Sequence, residues 1–102
     1  MVETIYSAIA QRRRLRGVYN GGSRLLEPHV FGVSRSGHPL LRVFQVSGHS
    51  TSSAAVGWKL LRVKDLTDLA VTEERFAATR PEYNPDDAAM ATIYCRIERV
   101  TP

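Results

Sequence analysis

Val2, Ile5, Ala8 and Ile9 recur at intervals of three and four residues, the period of a helix with one apolar face. The spacing predicts an amphipathic helix over residues 2–13. The run Arg12-Arg13-Arg14 falls at its end, where cations are favoured by the helix dipole. From residue 15 the period drops to two. Leu15, Gly17 and Tyr19 share one face of a strand over 15–19. Asn20-Gly21-Gly22-Ser23 then supplies a tight turn, because Asn-Gly accepts the positive φ angles that a two-residue hairpin needs. A second strand is expected over 24–33, with Pro28 marking a bend or an edge. A Gly-containing turn over 34–39 leads into a third strand, 40–46, dense in Leu, Val and Phe. A fourth covers 58–63, with Leu60 and Arg62 facing one way and Trp58 beside them. A single helical turn over 64–67 leads into a short fifth strand, 68–71.

Three stretches carry no clear period. Residues 47–57, SGHSTSSAAVG, are small and polar and predict a mobile hairpin loop. Residues 72–87 are broken by Pro81, Asn84 and Pro85 and read as irregular. Residues 92–100 form a last strand. A helix followed by about five short antiparallel strands with Gly-rich turns predicts a mainly β chain built as a small five-stranded barrel. A barrel also removes exposed sheet edges. The 102 residues then make one domain, with a helix at 2–13, a barrel at 15–71 and a tail at 72–102. Its core is small, which leaves room for a homodimer.

Charge is unevenly spread. Residues 1–64 hold 10 basic and two acidic side chains, a balance of +8; residues 65–102 hold 4 basic and 8 acidic, a balance of −4; together they give the net +4. The basic first part points to an anionic partner. The alternative is that its arginines solvate strand faces, paired with Glu27 or Asp65. No apolar run approaches the roughly 18 residues of a membrane span. The first residues lack the pattern of a secretory signal. The single cysteine, Cys95, fits a reducing cytoplasm and, between Tyr94 and Ile97, a buried strand position.

A family likeness rests on several segments together. They are Ala8-Ile9, Arg12-Arg13-Arg14-Leu15, Tyr19-Asn20-Gly21, Arg24-Leu25-Leu26-Glu27-Pro28, Leu40-Leu41-Arg42 and the run from Gly57 through Lys59 and Arg62 to Leu66. In order and spacing they resemble a WYL domain over residues 5–69, and the tail resembles those of small stand-alone bacterial members. The resemblance implies an Sm-like, SH3-type β-barrel with a role in ligand sensing, within transcription regulators or phage-defence systems. It also implies a basic groove for nucleic acid or a nucleotide-like anion. The chain departs from the pattern at Pro39-Leu40-Leu41, where the naming tripeptide would stand, and at Asp65, where an Arg is common. No helix-turn-helix is expected in these residues.

Arg24, Arg42 and Lys59 match basic positions of that pattern and are the first candidates for contacts to single-stranded nucleic acid or another phosphorylated ligand. Guanidinium forks suit phosphate. Tyr19 and Trp58 offer faces for base stacking or, alternatively, fill the core. His29 is a candidate donor or a structural imidazole. His29, His38, His49 and Cys95 are too dispersed to predict a metal site, and no cofactor is expected. No nucleophile elbow, phosphate loop or carboxylate pair points to catalysis, so a nucleotide-acting enzyme is the weakest reading. The leading one is a cytoplasmic binding module; its rival is a protein-interaction barrel.

Overall fold

A computed structural model describes residues 1–51 and 54–98. One helix, α1 (Val2–Gln11), precedes six strands: β1 (Arg13–Tyr19), β2 (Gly22–Val33), β3 (Pro39–Gly48), β4 (Gly57–Arg62), β5 (Thr67–Arg75) and β6 (Thr92–Arg96). Ile5, Ala8 and Ile9 are the buried face of α1. The helix is shorter than its expected 2–13. It stops at Gln11 because Arg12 turns into the left-handed region, φ 52°, and its carbonyl accepts the Phe76 N–H at 2.9 Å. Arg13 already faces Arg75 across the β1–β5 ladder, so strand pairing overrides the helical continuation. Arg12 is thus the C-cap residue, its N–H bonding the Ala8 and Ile9 carbonyls, while Arg13 and Arg14 belong to β1. Asn20 and Gly21 both have positive φ, 48° and 85°, and close the β1–β2 hairpin as expected.

All pairings are antiparallel, within a single sheet of order β4-β3-β2-β1-β5. β2 is its axis. β3 runs along one edge of β2; β1 takes the first half of the other edge, and β6 takes the second half, pairing with Val30–Val33. The sheet does not close into the expected barrel. β4 and β5 lie at the two ends of the order without pairing, joined by a 3₁₀ turn, Val63–Asp65. The helical turn thus falls close to its expected place at 64–67. β5 runs past the expected 71 to Arg75, since Glu73, Glu74 and Arg75 are exposed residues of a strand with one wet side. The last strand ends at Arg96, short of the expected residue 100; residues 99 and 100 lie outside the described chain.

Helix α1 packs against β1, β2, β5 and β6. Phe31 on β2 meets Tyr6 of the helix and Tyr94 of β6 edge-on, at 5.5 and 5.3 Å. The segment after β5, residues 76–90, has no strand or helix, yet it is not loose. Phe76, Tyr83 and Met90 are buried in the core, and the Tyr83 hydroxyl donates to the Ile97 carbonyl at 2.5 Å. It forms a strap over Phe44 and Trp58 on β3 and β4. Where the strap rejoins β6, a Cβ on Gly32 would stand 2.3 Å from the Thr92 carbonyl and 2.7 Å from the Met90 sulfur, so only glycine allows that approach. Among the described residues, no helix is long and apolar enough to cross a membrane.

Candidate functional site

The β3–β4 register separates the three candidate cations. Arg42 pairs with Leu60, whereas Lys59 pairs with Val43, one position on. Successive residues of a strand point to opposite faces, so Arg42 and Lys59 lie on opposite faces of the sheet. Gln45 shares the Lys59 face, and Arg24 of β2 reaches Gln45 from the same side, Nη1 to Oε1 at 3.2 Å. Arg24 and Lys59 therefore flank Gln45, and Arg42 does not join them. The expected convergence of all three on one groove is not what the fold produces.

Arg24 is also not an exposed strand residue; only 3% of it meets solvent. Its guanidinium lies 5.1 Å from the centre of the Tyr19 ring. No carboxylate pairs with it among the described residues, and its buried Nε has no hydrogen-bond partner. Burial lowers its pKa, with Tyr19 opposing. The described ends of the β3–β4 loop close over this region. Gln45 Nε2 donates to the His49 carbonyl at 2.9 Å, and Lys59 Nζ donates to Ser50 Oγ at 3.3 Å and to the Ala54 carbonyl at 2.6 Å. The stretch expected to be a mobile hairpin loop is thus hydrogen-bonded at these residues, and 52 and 53 lie outside the described chain. The Tyr19 hydroxyl accepts the Arg62 N–H at 3.1 Å, so the ring bridges β1 to β4.

On the Arg42 face, charge is compensated. Arg42 grips Asp87 of the strap through Nε and Nη2 at 2.6 and 3.2 Å. Burial would raise the Asp87 pKa, but the Arg42 bond and the Ala89 N–H outweigh it and hold the carboxyl below its ordinary value. Glu27, fully buried, takes Arg80 through both oxygens at 2.6 and 3.1 Å and Arg14 Nε at 3.0 Å. Burial again pushes its carboxyl up, and the two arginines more than reverse that. Arg80 also lies 4.5 Å over the Phe44 ring.

His29 belongs to this network and is wholly buried. Its Nε2 accepts the Arg80 N–H at 3.3 Å, which leaves the proton on Nδ1, directed at the Glu27 carbonyl at 2.8 Å. Trp58, Tyr83 and Phe76 surround it at centroid distances of 4.7, 5.1 and 5.5 Å. Burial lowers its pKa, with the Glu27 carbonyl bond and carboxylate opposing. Trp58 is tied down as well, its indole N–H donating to the Pro81 carbonyl at 2.9 Å. His29 and Trp58 are thus packed beneath the strap; Trp58 keeps one margin on a cavity of about 310 Å³ beside Arg42 and Asn84. Glu27, Arg14 and Arg80 escaped the sequence reading as a unit. The available signal was a lone carboxylate inside the apolar run Leu25 to Phe31, which needs cations to be buried.

Cys95 is half-buried and not fully enclosed as expected, because it lies on the short strand β6, which pairs with β2. Desolvation pushes its thiol up to about 11. Among the described residues, no group of three His, Cys, Asp or Glu side chains is placed to hold a metal. The chain matches no family model, no curated protein and no solved structure.

Proposed function

We propose that the chain is a binding module for a phosphorylated anion, a single-stranded oligonucleotide in the first instance, centred on Arg24 with Lys59 and Tyr19. The observation that supports this reading is the missing counter-charge of Arg24. A buried guanidinium without a carboxylate costs several kcal/mol of solvation that the fold does not recover, about 3 kcal/mol or more by analogy with broken buried pairs. A phosphate that displaces the covering loop ends supplies that charge and a partner for the buried Nε. It competes with Gln45 for the Arg24 fork and with Ser50 and the Ala54 carbonyl for Lys59. Tyr19 offers a stacking face alongside. Arg42, neutralised by Asp87, and Trp58 and His29, fixed by the strap, serve the fold in this reading.

The strand order β4-β3-β2-β1-β5 with a 3₁₀ turn between β4 and β5 agrees with an SH3-type barrel opened between those two strands. The deciding measurement is fluorescence anisotropy with a labelled single-stranded oligonucleotide over a salt series. Binding at low salt should weaken steeply with added salt. Lys59→Gln should lower the salt slope by about one unit. A wild-type protein that binds no oligonucleotide at low salt ends this reading. The rival, a protein-interaction surface, is favoured by the exposure of Val2, Tyr6 and Tyr94 near one another around Phe31.

A further inference from the structure

We infer that a second anion site, for phosphate or a small phosphate monoester, lies in the cleft between β1, the end of β5 and the start of the strap. The cleft encloses about 370 Å³ and is lined by Arg14, Arg75 and Arg80, with Glu27 at its base. That volume is at the low end of small-ligand pockets, which excludes a bulky ligand. Arg14 and Arg80 bind the buried Glu27, and Arg75 adds a third cation to the lining. Glu27 is fully engaged by Arg14 and Arg80. Glu74 lies 3.7 Å from Arg14 Nη1, but it is more than half exposed and screened. Arg75 has no ion pair or side-chain hydrogen bond among the described residues.

One further feature sharpens the assignment. The cleft wall at Ala77, Ala78 and Thr79 adds backbone N–H groups for which no protein acceptor occurs among the described residues. Consecutive free amides beside guanidiniums are a general way of holding a tetrahedral oxyanion. The ligand is thus recognised by charge and oxygen geometry, with no aromatic platform in the lining. Neither Arg24 nor Lys59 lines the cleft, so this site stands or falls separately from the one above.

The only tryptophan gives a direct readout, since Trp58 is bonded to Pro81, the neighbour of Arg80. Titration of inorganic phosphate, followed by Trp58 fluorescence and calorimetry, should show saturable binding of one equivalent. A nucleoside monophosphate titrated in parallel distinguishes free phosphate from a monoester as the better ligand. Arg75→Gln should weaken binding by about tenfold or more, the loss expected for a charge-assisted contact. It should leave the unfolding midpoint unchanged or raised, because no native pair is broken. Arg75→Lys should fall between the two, keeping charge and losing the fork. Three results would overturn the proposal: no phosphate binding at millimolar concentration, an Arg75→Gln affinity within twofold of wild type, or loss of phosphate binding in Lys59→Gln with Arg75→Gln unaffected. The last would move the anion to the Arg24 face.

Discussion

Glu27 and Arg24 are both ionisable residues of β2, three positions apart and both enclosed, yet their surroundings are opposite in kind. Glu27 holds two arginines through three short bonds, one from a neighbouring strand and one from the strap. Arg24 has an amide, a ring face and no carboxylate. A compensated buried charge acts as a fastener, because removing either side strands the other. An uncompensated one weakens the fold and finds its justification in a partner from outside. Three positions along β2 thus separate a compensated buried charge from an uncompensated one.

The sharpest way to break the comparison is Glu27→Gln, which leaves both arginines facing a neutral amide. The expected loss is about 3 kcal/mol of unfolding free energy, read from urea denaturation. A loss below about 1 kcal/mol would mean that the strap is held mainly by its other anchors, Arg42 to Asp87, Trp58 to Pro81 and the aromatic contacts. Arg24→Met is the complementary change. It removes an unpaired buried charge for a side chain of similar length, so stability should stay level or rise by about 1 kcal/mol while oligonucleotide binding disappears. A marked loss of stability would show that Arg24 is structural.

Acid should separate the two regions more gently. His29 has a folded-state pKa below its unfolded value, so the unfolded chain takes up the proton first. Stability is therefore full at neutral pH and declines as the pH falls below about 6.5. Protonation of Nε2 also removes the acceptor of the Arg80 N–H. Glu27 and Asp87 have depressed folded-state values, and their contributions are lost later, as the pH falls through those lower values. Unfolding midpoints between pH 8 and pH 5 should slope in the wild type and be flat in His29→Gln, whose amide donates and accepts without titrating. The smallest effect concerns Cys95. With a thiol at about 11, a thiol reagent at pH 8 should label it slowly, and urea should accelerate the reaction.

Local signals are legible in the chain, and signals that depend on register are not. The Asn20-Gly21 hairpin, the alternation of Leu41, Val43 and Gln45, and the helical period of Ile5 to Ile9 each announce an element within a few residues. Arg42 and Lys59 look equivalent in sequence, yet one step of register sends them to opposite faces. The strap has no period because its anchors are single contacts, Arg80 to Glu27, Pro81 to Trp58 and Asp87 to Arg42, made across long separations. The stop of α1 at Gln11 is likewise decided by Arg75 and Phe76, more than 60 residues away.

The divided edge of β2 also fixes an order of events during folding. β1, β2, β3 and β4 pair with their neighbours in sequence and can zip as successive hairpins. β6 joins β2 only by closing a long loop, since Phe31 and Cys95 are 64 residues apart (95 − 31). Loop-closure entropy must be met before such contacts reward it, so β6, like β5 on β1, docks after the hairpins have formed a surface to receive it. A substitution that weakens the β6–β2 seam should accordingly leave the refolding rate almost unchanged and speed unfolding. The last seam to form is then the first to open, and amide protons of residues 92–96 should exchange with solvent well before those at the centre of β3.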